Sequence, residues 1–149
     1  MNPKWTVLTV IAAAVALLAS GPSLAQDEPS PLAKIMEKVG LTSSVITKAV
    51  RTPVSYLKGQ QDVVTGAQEL AKLADEARVQ TSAVEKAKDV PDAAAKWNGL
   101  LDQLIATSTA LAKVAGTGTF AEAKKANMAV KGVCTECHSV FRIEDEPDF

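Results

Sequence analysis

"TFAEAKKANMAVKGVCTECHSVFR", residues 119–142, is the stretch whose reading decides the fold. It opens with Thr119 followed three residues later by Glu122, the pattern of a helix-starting capping box. Behind that start, Phe120, Ala123, Asn127, Val130, Cys134, Cys137 and Phe141 recur at steps of three and four, which places them along one face of a helix. Asn127 departs from the apolar pattern of that face, and the sequence offers it no partner. The same helix also holds both cysteines and the only histidine of the 149-residue chain, as Cys134, Cys137 and His138.

Upstream, the helical period repeats three times. Leu32, Ile35, Met36, Val39, Ile46, Ala49 and Val50 make one apolar stripe, which predicts a helix over 31–51 with Pro31 in its first turn. Thr52-Pro53 breaks it. A second helix is expected over 60–87, from Val63 through Ala67, Leu70, Ala74 and Ala77 and on through "TSAVEKAKD" until "DVPD" stops it. A third, over 91–115, opens at Pro91, carries Trp97, Leu100, Leu101, Leu104, Ile105 and Leu111, and ends at "GTG". The opening stretch is the fourth, over 119–142. Nothing alternates with the period of a strand. Four amphipathic helices joined by short turns predict an all-α, antiparallel up-down-up-down four-helix bundle.

The ends of the chain read differently. Residues 1–25 pass from a short segment bearing Lys4 through an apolar run over 7–19 to Ser23-Leu24-Ala25, the form of a cleaved secretory signal peptide. That run is shorter than the roughly 20 residues a bilayer span needs, so no stable membrane span is expected after cleavage. The reading implies export, with a periplasmic location, and a single domain over 26–149 whose acidic tail, 143–149, is "IEDEPDF". Without Lys4 the exported chain has fifteen basic residues against seventeen acidic ones, so no basic field exists to attract nucleic acid. Aromatic residues are few, and the core is built from Ala, Val, Leu and Ile.

At 3.6 residues per turn, positions 134, 137 and 138 stand at i, i+3 and i+4, so two thiols and one imidazole share a helix face. The spacing C-x-x-C-H is the attachment signature of c-type haem, in which the cysteines bond the porphyrin and the adjacent histidine takes the iron. Three rival readings fit the chemistry less well. A zinc site lacks a fourth ligand and a second cysteine pair. A thioredoxin-like dithiol belongs at a helix N-terminus, whereas this pair sits near a C-terminus, where the helix dipole has the opposite sign. A plain disulfide suits an oxidising compartment but leaves the adjacent histidine unexplained.

With "CTECHSVFR" near the C-terminus, "MEKVG" at 36–40 in the first helix and Trp97 early in the third, the chain from about Pro31 to Arg142 resembles the class II c-type cytochromes, the cytochrome c′ family and its low-spin, methionine-ligated relatives. The resemblance implies one covalent haem c, bound through Cys134 and Cys137, with His138 as proximal iron ligand. Met36 matches the position that ligates iron in the low-spin members. In an up-down bundle Met36 and His138 also share one level, while Met128 lies about 15 Å along the axis from His138 and cannot reach the iron. Trp97 walls the haem or is simple core, and Arg142 meets a propionate or complements the helix C-terminus. The function implied is a periplasmic electron carrier serving redox partner proteins, without substrate turnover. Its alternatives are a five-coordinate protein binding NO or CO, as in the cytochrome c′ branch, and a haem-free thiol-disulfide oxidoreductase. Relatives often form homodimers through the first two helices.

Overall fold

A computed structural model describes residues 28–142. The expected signal peptide, 1–25, and the acidic tail, 143–149, lie outside the described residues. The elements are α1 (Pro31–Ala49), α2 (Pro53–Ala77), α3 (Ser82–Lys86), α4 (Ala93–Thr117) and α5 (Phe120–Phe141). The four long helices form the predicted up-down-up-down bundle: α1 packs on α2, α2 on α4 and α4 on α5. Closure of the ring is incomplete, because α1 and α5 barely meet.

Short turns and capping side chains define one end of the bundle. Residues 50–52 join α1 to α2, and residues 118–119 join α4 to α5. Thr52 and Ser55 form one capping box, and Thr119 and Glu122 form the predicted one. Both satisfy helix N–H groups that would otherwise lack partners. Tyr56 Oη and Gln60 Nε2, near the start of α2, both donate to the Ala115 carbonyl near the end of α4, at 3.0 and 2.6 Å. We call this the closed end.

Along α1 and α2 the backbones approach closely. A Cβ at Gly59 would lie 3.0 Å from Ala49 Cβ, and one at Gly66 would lie 3.0 Å from Ile46 Cγ1. Two glycines seven residues apart therefore let α1 nest on α2 rather than lean towards α5. The core runs the length of the bundle through Ile46, Val63, Leu70, Leu73, Leu101, Leu111 and Val130, all fully buried.

The second predicted helix needs two corrections. It begins at Pro53 rather than near residue 60, because Thr52 caps it and Pro53 occupies its first turn, where a missing N–H is harmless. The expected start coincides with a kink, since Gly59 has non-helical dihedrals inside α2. Its end comes at Ala77 rather than at residue 87. There the Arg78 guanidinium reaches Asp102 on α4, at 2.7 Å, and the chain turns aside so that α3 can bury Ala83 in the core. Pro91 stands before α4 rather than in it, and Asp92 adopts a left-handed conformation with φ 49°. This longer connection marks the other, open end. Among the described residues no helix is long and apolar enough to cross a membrane.

Candidate cofactor site

The last two turns of α5 carry the predicted cluster at the open end. Cys134 and Cys137 are half-buried and pack against the core, whereas His138 stands at the edge of their stripe and is more exposed. Both cysteines are free thiols. Among the described residues no group of three or more Cys, His, Asp or Glu side chains is placed to hold a metal ion. Side chains spaced along a helix face suit attachment along the edge of a wide, flat group better than convergence on one ion.

Electrostatics separates the cysteines from redox-active dithiols. Burial pushes the Cys137 thiol up to about 11, with the neighbouring Cys134 and Glu136 adding to the shift. Burial raises Cys134 as well, against smaller opposing effects of a backbone hydrogen bond and Lys131. A thiol-disulfide enzyme needs the reverse, a thiol acidified by its surroundings. For His138, burial of part of the ring and then the Arg142 guanidinium hold the imidazole below its ordinary value. The neutral ring, the form that ligates a metal, therefore prevails at neutral pH.

The remaining predicted residues divide by position. Met36, about 7 Å from the start of α1, is half-buried against the core at the open end. Met128 is 66% exposed on α5. Trp97, in the second turn of α4, is buried and packs edge-on against Phe141, with ring centroids 5.2 Å apart. Arg142 caps α5, its N–H donating to the His138 carbonyl at 3.2 Å. Asn127 is buried on α5. Sequence reasoning did not find the Trp97–Phe141 contact, because no local pattern links the start of one helix to the end of another.

These residues fit a haem on three counts. The thiols are free and lie on the inner stripe, the neutral imidazole adjoins them, and the seam between α1 and α5 is the one side of the bundle that helix packing leaves unsealed. No curated protein and no solved structure matches the chain. A family model described as Cytochrome C' matches residues 33–142, from the first turn of α1 to the cap of α5. That span takes in the whole bundle and its C-x-x-C-H, and the chain belongs to the cytochrome c′ family of haem-binding c-type cytochromes.

Proposed function

We propose that the protein is an exported, periplasmic electron carrier in which Cys134 and Cys137 hold one haem c covalently, His138 is the proximal iron ligand and Met36 the distal one. The observation that carries this reading is the placement of two half-buried cysteines of the C-x-x-C-H at the open end, with His138 beside them and Met36 at the same end of α1. When bound, the haem iron supplies one-electron redox chemistry. The chain's own residues do the rest. The thioethers prevent loss of the group outside the cytoplasm, and a thioether axial ligand in an apolar bundle raises the reduction potential. Burial raises both cysteine thiols, which speaks against the thiol-disulfide alternative. Redox partner proteins are the partners of such a carrier.

A second reading is favoured by the weak contact between α1 and α5. If packing does not press Met36 towards His138, the iron stays five-coordinate and binds NO or CO, as members of the matched family often do. Absorption spectra of the exported protein in both oxidation states decide between the two. The carrier shows a six-coordinate, low-spin spectrum with a sulfur-to-iron charge-transfer band, which Met36→Leu abolishes. A high-spin spectrum that changes on adding CO establishes the second reading. A mass without an added haem overturns both.

A further inference from the structure

Two buried side-chain polar atoms lack any hydrogen-bond partner among the described residues, Trp97 Nε1 and Ser108 Oγ. They are not equivalent. The Ser108 hydroxyl, mid-way along α4, can rotate towards a carbonyl of its own helix. An indole N–H is fixed in a rigid ring and has no such local choice. Trp97 is 3% exposed, so water does not readily satisfy it. Phenylalanine would fill this place without orphaning a donor, so the nitrogen itself calls for a physical reason.

Its surroundings suggest one. Trp97 packs on Phe141, which lies one turn beyond Cys137 on the stripe that also carries Cys134. The orphan donor therefore sits beside the attachment helix, at the level of the proposed haem. On a haem c the vinyl groups are consumed by the cysteines, the pyrrole nitrogens hold the iron, and the other substituents are methyls. The only hydrogen-bond acceptors left on its periphery are two propionate carboxylates. A hydrogen bond from a neutral N–H to a carboxylate is charge-assisted and short, the kind best able to offset a buried donor.

We infer that Trp97 Nε1–H is a hydrogen-bond donor to a haem propionate, making Trp97 a positioning residue that fixes the rotation of the macrocycle against α4. The inference rests on the haem reading above. It explains why a buried tryptophan, rather than another aromatic residue, packs on Phe141.

The test uses exported holoprotein in which tryptophan is replaced biosynthetically by benzothienylalanine, which keeps the shape of the ring and exchanges N–H for sulfur. Trp5 precedes the proposed cleavage site, so Trp97 is the one tryptophan of the exported chain. Mass spectrometry first scores haem attachment in both proteins. Resonance Raman then reads the propionate-bending band under Soret excitation and the indole N–H band under ultraviolet excitation. The expected result is a hydrogen-bonded indole in the natural protein and a propionate band shifted by several wavenumbers in the analogue. Coincident propionate bands with haem attached in both overturn the inference while the haem reading stands, and this holds even if the indole is hydrogen-bonded, since its acceptor is then a water or another group. Absence of haem from the natural protein overturns both.

Discussion

The two ends of the bundle are built from the same four helices and follow opposite rules. At the closed end, turns of two and three residues carry paired capping boxes, and two side chains converge on the Ala115 carbonyl. At the open end, α4 starts from a left-handed Asp92 without a side-chain cap, a fifteen-residue connection replaces a turn, and Trp97 keeps an unpartnered N–H. Local and global preferences agree at the first end and conflict at the second. Such conflict concentrates where a protein binds something its own chain does not supply. The lesson is a division of labour, in which the closed end holds the helices together and the open end carries the proposed haem site.

The largest effect separates the two ends outright. Replacing Cys134 and Cys137 together by Ser removes both proposed attachment points, and the expected outcome is complete loss of covalent haem by mass spectrometry, with helical circular dichroism retained, because both positions are only half-buried. A double variant that still carries covalent haem breaks the division at its root. The thiols provide a second test in the haem-free chain. With Cys137 at about 11, only about a thousandth of it is thiolate at pH 8. Burial disfavours the charged form, so the thiolate fraction climbs tenfold per pH unit towards that value. Alkylation rates of Cys137 measured between pH 7 and 10 check this, and a plateau near pH 8.5, the value of a free thiol, means the site is not desolvated.

The closed half answers to packing instead. Leu111 is fully buried between α4 and its neighbours, so Leu111→Ala leaves a cavity and is expected to lower stability by about 2–5 kcal/mol in urea denaturation. The absorption spectrum of the folded variant should be unchanged, since the mutation lies far along α4 from Trp97 and the cluster. A changed haem spectrum would show that the ends are mechanically coupled rather than divided.

How much of this was legible in the sequence follows the same line. The Thr119–Glu122 box, the apolar stripes of α1 and α5, the bundle itself and the C-x-x-C-H are local or periodic signals, and each appears in the structure where its residues predict. The box formed by Thr52 and Ser55 was missed because Ser at its fourth position falls outside the usual Glu or Gln pattern. The end of α2 was missed because Arg78 is held by Asp102, twenty-four positions away. At the open end, the Trp97–Phe141 contact and the unsealed seam between α1 and α5 arise from tertiary packing, which no spacing along the chain encodes. What the periodic pattern reveals is the frame, and what it conceals is how the frame is left ajar.

The smallest effect tests the closed end at its cap. Thr119 Oγ1 accepts from the Glu122 N–H at 3.3 Å, while Glu122 Oε2 accepts from the Thr119 N–H at 2.7 Å and from its hydroxyl at 2.8 Å. Thr119→Ala removes the first and third of these and is expected to lower stability by about 1 kcal/mol in thermal or urea unfolding at pH 7. The backbone N–H of Thr119, and secondarily its hydroxyl, hold the Glu122 carboxyl below its ordinary value. A carboxylate whose pKa is lower folded than unfolded contributes stability above the unfolded value and loses it as pH falls through the folded one. The difference between wild type and Thr119→Ala should therefore shrink in part below pH 4, because protonation of Glu122 weakens in the wild type the hydroxyl bond that the mutation has already removed, while the loss of the Thr119 Oγ1 acceptor persists at every pH. If the difference stays constant down to pH 2, the Thr119 hydroxyl does not bond the Glu122 carboxylate in solution. The closed end would then depend on its turns, the Thr52–Ser55 box, the remaining bonds between Thr119 and Glu122 and the Tyr56 and Gln60 bonds, and its contrast with the uncapped start of α4 would rest more on the first box than on the second.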